Sequence, residues 1–318
     1  MPTGYGMLGH VAWDFQNSYG TSKVSSQKFI PFLSENFNFR VEELREGNMY
    51  GRFGEPPFHE SMKHIAAELS MEAHPQAMGV LLKSVFGQVT TTSATGVQNH
   101  EFIPRNTADF DDRAVSQPAT IEVNRNVGSA GLYYDVVGSR LQLAIANGQL
   151  LRVDWNGIGA GFSRGAPATA TYPAHKPFRW VQSSVSYNAW AVQDLRDLRV
   201  TLDTPLEAIY TLGTSNTPFR IKRSGFYTVE VAGTLQFAQH SFWLDFENFA
   251  TRRFFANFVS SDAPHVVTID VPRMRFNSFN PVIAGPGLVQ AAFTAKGEFD
   301  TNSSYALRVL LVNTETYY

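Results

Sequence analysis

The stretch FYTVEVAGTLQF, residues 226–237, sets Tyr227, Val229, Val231 and Leu235 on one side of an extended chain. Thr228, Glu230, Thr234 and Gln236 fall on the other. A period of two over this length is the pattern of a β-strand with one buried and one wet face. Upstream, LRVTLDTPLEAIYTL (198–212) supplies a strand partner, and the intervening loop carries Gly213, Asn216 and Pro218. The same order occurs earlier in the chain. FNFRVEELR (37–45) alternates Phe37, Phe39 and Val41 with Asn38, Arg40 and Glu42, a Gly/Pro-rich loop follows, and HIAAELSME (64–72) lines up Ile65, Ala67, Leu69 and Met71.

A short helix is expected after the second strand of each pair. Met78, Leu81, Leu82 and Val85 have helical spacing, with Gly87 placed as a C-cap. The later helix is expected to start at Ser241 and to use Phe242, Phe246, Phe249 and Arg253 along one side. PATIEV (118–123) then aligns with VVTIDV (266–271), and DVVGSRLQLA (135–144) with VIAGPGLVQA (282–291). QLLRVDW and YALRVLLVN close the two copies. The expectation is a tandem duplication, mainly β, divided as an N-terminal arm (1–26), a first unit (27–160), a linker (161–177) and a second unit (178–318). Val89–Gln117 is expected to be an insertion in the first unit, opening as an exposed loop.

Composition narrows the function. Charged residues make up 17% of the 318 and the net charge is -2, so the basic excess of a dedicated nucleic-acid binder is missing. Aromatic residues reach 13%, with 25 Phe and 12 Tyr, a mix suited to sheets and to contacts between subunits. There is no cysteine, which removes disulfides and thiol chemistry and argues against a structural zinc site. The opening MPTGYGMLGHVAWDF lacks the basic and apolar regions of a signal peptide. No apolar run nears the roughly 18–20 residues that cross a bilayer. A soluble protein of a reducing compartment, without membrane insertion, is expected.

Catalytic patterns are not found. Gly157-Ile158-Gly159-Ala160-Gly161 lacks the strand–turn–helix setting of a dinucleotide loop and is expected to be flexible linker. The eight histidines are scattered, and His59, His64 and His74 fit surface positions around a strand. Asp109, Asp111 and Asp112 lack the remaining ligands of a calcium loop. No Gly-x-Ser-x-Gly elbow occurs. No cofactor and no enzymatic activity are expected.

LEAIYTLGTSNTPFRIKRSGFYTVEVAGTLQF, the later TIDVPRMRFNSFNPVIAGPGLVQAAFTAKGEFD, and the earlier PFLSENFNFRVEELREGNMYGR with HIAAELSMEAHPQAMGVLLKSVFG resemble the tail tube proteins of long-tailed bacteriophages. That resemblance implies β-sandwich or barrel-like units, each with a flanking helix. Their strands would join around a ring into a β-barrel closed between subunits, with DNA passing through its lumen. With two units per chain, three chains would build a pseudo-hexameric ring, and rings would stack into a tube. Tape-measure and tail terminator or baseplate proteins would be partners, the virion tail the location, and the host cytoplasm the place of assembly.

Glu68, Ser70, Thr228, Glu230, Thr234 and Gln236 are expected to line the channel, with Glu68 matched to Glu230. The loops Gly47–Glu60 and Gly213–Arg223 are expected between rings, through Tyr50, Arg52, Phe53, Phe58, Phe219, Arg220 and Arg223. A carbohydrate- or receptor-binding β module is the alternative, and a hydrolase built from distant carboxylates is a third possibility.

Overall fold

The alternating segments do become strands, and two of them run far longer than their patterns suggested. A computed structural model describes residues 5–51, 54–106, 117–172, 174–213, 215–238, 240–260, 264–283 and 285–318. In chain order the first part holds β1 (His10–Phe15), β2 (Lys28–Ile30), β3 (Ser34–Arg45), β4 (Phe58–Glu72), α1 (Met78–Phe86), β5 (Val89–Ala94) and β6 (Val97–Phe102). It continues with β7 (Ala119–Asn124), β8 (Ala130–Ala146), β9 (Arg152–Gly159) and β10 (Gly161–Gly165). The second part holds β11 (Ser183–Tyr187), β12 (Trp190–Ala191), β13 (Leu195–Asp203), β14 (Leu206–Ile209), β15 (Arg220–Arg223) and β16 (Thr228–Gln236). It ends with α2 (Ser241–Glu247), β17 (Thr251–Val259), β18 (Val266–Val282), β19 (Gln290–Gly297) and β20 (Arg308–Asn313).

Eight strands form one antiparallel sheet in the order β3–β4–β9–β8–β13–β16–β19–β18. The sheet is open in the single chain. Among the described residues, β3 pairs only with β4, and the C-terminal part of β18 (276–282) only with β19.

The long strands β8 and β18, 17 residues each, carry the chain out of this sheet into a second layer. The first part of β8 pairs with β7 and β10, and β7 with β1. The first part of β18 pairs with β17 and β20, and β17 with β11. Each long strand is interrupted by a register shift where the layers part, between Gly138 and Arg140 and between Phe276 and Ser278. Such a bulge bends a strand and increases its twist, which lets one strand serve two sheets.

The core lies between the layers. Trp13 of β1 meets Trp155 of β9 edge to face at 5.0 Å. Phe276, Phe279 and Phe293 form a similar cluster in the second part. Helix α1 ends as its sequence indicated, because Gly87 takes φ 73° and its N–H reaches the Lys83 carbonyl. Ser84 of α1 accepts a hydrogen bond from Trp155 Nε1 at 2.8 Å, fixing the helix to the sheet.

Several expectations need correction. The segment 1–26, expected as an arm, contains β1, whose Val11 and Trp13 are fully buried. Its polar members are paired: His10 meets Glu122 at 2.9 Å, and Asp14 accepts from the Ser26 N–H at 2.8 Å. The linker begins later than 161. Gly157–Gly161 lies in β9, the turn and β10, and a Cβ at Gly157 would stand 2.4 Å from the Trp155 ring. Glycine there provides close approach, not flexibility.

The insertion 89–117 opens not as a loop but as the hairpin β5–β6, and β6 pairs with β20. Residues 107–116, including Asp109, Asp111 and Asp112, lie outside the described residues. Helix α2 begins after His240 and stops at Glu247, so Phe249 is an exposed residue at φ 56° and Arg253 belongs to β17. The two parts also correspond differently from the alignment expected. TIEV is in β7 and TIDV in β18, whereas the pairings match β8 with β18, β9 with β19 and β10 with β20.

Candidate functional site

Alternation on eight paired strands gives the open sheet one apolar and one polar face. On β4, Ile65, Ala67, Leu69 and Met71 are buried in the core. Glu68 is exposed on the opposite face and accepts from Asn36 Nδ2 at 3.3 Å. Register carries the polar face across the sheet. Asn36, Glu68, Asn156, Arg140, Asp203 and Thr228 form one cross-strand row. Ser70, Asp154, Gln142, Thr201, Glu230 and Lys296 form the next.

The face carries mixed charge. Over the paired part of the six inner strands, it bears the carboxylates of Glu68, Glu72, Asp154, Asp197, Asp203 and Glu230. The cations on it are Arg140, Arg152, Arg199 and Lys296. Part of this charge is tied locally. Asp154 accepts from Arg152 Nε at 2.8 Å and from Ser70 Oγ at 2.6 Å, and Gln142 reaches it at 3.4 Å. The surface therefore has no basic excess with which to hold a phosphate backbone.

Thr228, Glu230, Thr234 and Gln236 stand together on this face along β16, as their spacing indicated. Glu68 shares the face, but its place in the pairing scheme corresponds to Ala232. Tracing Asn156–Glu68 and Thr294–Ala232 from the two bulges puts the match two residues from Glu230. A shift of two preserves the face. Ser70 lies on the same side but is 6% exposed, covered by Arg152, whose Nε donates to its hydroxyl at 2.9 Å. The contributions of β8, β9, β13 and β19 were missed. QLLRVDW and LRDLRVTLD do alternate, and reading them at period two would have found Asp154, Arg199 and Thr201.

The two long loops meet at one end of the sheet. The Lys63 N–H donates to the Asn216 carbonyl at 2.8 Å, the Tyr210 hydroxyl donates to the Lys63 carbonyl at 3.3 Å, and Asn216 also bonds Glu60. The hydrogen bond from Lys63 is the largest influence on the Glu60 carboxyl, and with that from Asn216 it holds the group below its usual range against the opposing effect of burial. Tyr50, Phe58 and Phe219 are half exposed there. Arg45 covers Phe58 and Arg220 covers Phe219, each 4.8 Å from the ring centroid. Arg223 turns inward instead. It donates to the Arg105 carbonyl at 2.8 Å and lies over Tyr227, and burial lowers its pKa. Arg52 and Phe53 lie outside the described residues.

Among the described residues, no three His, Asp or Glu side chains come together in a way that would hold a metal ion. No helix among the described residues is long and apolar enough to cross a membrane. A family model described as phage tail tube protein matches residues 7–297. No curated protein matches the sequence.

Proposed function

Because the chain belongs to the phage tail tube protein family, a family of structural tail components, we propose that its open eight-stranded sheet is one third of a closed barrel whose polar face lines a DNA channel. The observation that supports this is the sheet itself, amphipathic across eight strands and, among the described residues, unpaired at both edges. An edge of that length invites pairing, and ring closure removes it. Three chains would give about 24 strands. At about 4.8 Å between strands and a tilt near 40°, the barrel would be roughly 45–50 Å across between backbones. That leaves room for a duplex and a layer of water.

The matching pairings of the two parts support a tandem duplication, and hence a trimer with pseudo-sixfold symmetry. The mixed-charge face suits passage. A wall that neutralised many phosphates would release counterions and hold DNA tightly, whereas this one carries six carboxylates among its four cations. The loop end carrying Tyr50, Phe58, Phe219 and Arg220 is the proposed contact between rings, since aromatic and arginine side chains dominate such contacts. Tape-measure, terminator and baseplate proteins would complete the tail in the virion, assembled in the host cytoplasm.

Negative-stain microscopy of the purified protein at rising concentration tests the reading. Hollow tubes or rings with threefold character are expected, and a chain that stays monomeric at millimolar concentration refutes it. Particles carrying Glu68→Lys and Glu230→Lys should eject DNA more slowly, with a steeper salt dependence. Deleting Gly54–His59 should leave rings that do not stack.

A further inference from the structure

Inside the chain, one junction already joins two four-stranded units. Strand β13 lies along the C-terminal part of β8, on the side β7 occupies nearer the start of that strand. On β18, strand β17 ends opposite Arg275, and the edge beyond it has no neighbour among the described residues. We infer that this edge, Ser278–Val282, takes β3 of a second copy of this chain, in the register that β13 uses on β8. This deepens the ring reading above and rests on it.

The register follows from the bulges. Equating them matches Arg140 with Ser278, Gln142 with Asn280 and Ala144 with Val282. Tracing outward, Arg140–Asn156–Glu68–Asn36 corresponds to Ser278–Thr294–Ala232–Arg199, so β3 matches β13 with Asn36 at Arg199. Arg199 pairs with Ala144, Thr201 with Gln142 and Leu202 with Leu141. The seam between copies then sets Asn36 opposite Val282, Asn38 opposite Asn280 and Phe39 opposite Phe279.

The side chains fit this register. Phe39 is only partly covered and Phe279 is buried, both on the apolar face, where Leu202 and Leu141 meet at the internal junction. Asn38 and Asn280 are both exposed on the polar face. A slip of one residue would set Phe against Asn along the whole seam. Pro281 offers no N–H, so it weakens competing registers at a free edge while removing at most one ladder bond from this one. A chain cannot satisfy its own edges. The two lie seven strand spacings apart, roughly 34 Å in a flat sheet.

The chain has no cysteine, so introduced thiols are the only ones present. Full-length Asn38→Cys/Asn280→Cys protein is assembled, oxidised mildly and run on a non-reducing gel, with Asn36→Cys/Val282→Cys as a second in-register pair. Facing residues are about 4.5–5.5 Å apart between Cα atoms, within disulfide range. Covalent dimers and trimers are expected from both pairs. The offset pair Asn38→Cys/Val282→Cys, whose residues stand roughly 7–8 Å apart, should give at least about tenfold less. If rings form but the offset pair links as well as the others, or neither in-register pair links, the register is overturned and the ring reading stands. If the unsubstituted protein forms no rings or tubes, both fall.

Discussion

Gly79→Ala would test how the last residues of the second part hold the helix of the first. A Cβ at Gly79 would stand 2.2 Å from Cζ of Tyr318 and 2.5 Å from both flanking ring carbons. Ordinary contact begins near 3.4 Å, so the ring must retreat by more than an ångström. Tyr318 is 8% exposed, accepts from Asn313 Nδ2 at 2.6 Å and donates to the Gln76 carbonyl at 3.1 Å. Re-exposing about half of such a ring costs about 2 kcal/mol, and two weakened hydrogen bonds add about 1–2 kcal/mol. Alanine's helix preference returns up to about 1 kcal/mol. The expected net loss is about 2–3 kcal/mol, measured by urea denaturation against the unsubstituted chain. In a Tyr318→Ala background the obstacle is gone, and the same substitution should stabilise by up to about 1 kcal/mol. Equal effects in both backgrounds, or a stabilised single variant, would refute the reasoning.

Other perturbations have equally direct readouts. Asp270, fully buried, accepts from Arg253 Nε and Nη2 at 2.8 Å, Arg308 Nη2 at 2.9 Å and the Tyr305 hydroxyl at 2.7 Å. Asp270→Ala removes the acceptor shared by Tyr305, Arg253 and Arg308, of which Arg308 keeps Glu101 at 3.2 Å, and should cost about 1.5–3 kcal/mol in denaturant titrations. Ser84→Ala strands the Trp155 indole N–H in the core and should cost about 1–3 kcal/mol, with a shift in tryptophan emission. His265 is fully buried against His175, with ring centroids 4.5 Å apart; burial first, then His175, lowers its pKa below 6.5. The folded state therefore binds fewer protons than the unfolded one, and its stability should fall as pH drops below about 6.5, by up to about 1.4 kcal/mol per unit. Melting temperatures from pH 7 to 5 check this, and His265→Phe should flatten the slope.

What could be read from the sequence was set by how local the physics was. Period-two stretches such as Ile65–Met71 and Tyr227–Leu235 declare their faces without help from distant residues. The cap at Gly87 is equally local. Pairing is not. The match of TIEV to TIDV is a true likeness of strand composition, yet only the bulges near Ser139 and Asn277 reveal that β18 corresponds to β8. Glycines were misread at 157–161 because the Tyr134 ring that crowds Gly161 comes from β8, and the Trp155 ring leans over Gly157 only where its contacts with Trp13 and Ser84 set its orientation. The polar face was found at β4 and β16 and missed at β9 and β13, since those strands were located without their register. Arg223 looked like a surface anchor, and only the fold shows its guanidinium spent on the Arg105 carbonyl.

The outer hairpin has a mechanical consequence. β6 crosses from the first part to pair with β20, while β8 and β13 join the same parts in the central sheet. The halves are thus stitched twice by ladders, and the described residues of the connection, 166–172 and 174–177, add no strand or helix to them. A protease site engineered at residues 166–170 should leave both fragments co-eluting after cleavage, because twelve paired residue positions hold them and one peptide bond does not. Unity of the molecule in this protein is a property of its seams and not of its backbone, so the halves should also complement each other when produced from separate genes.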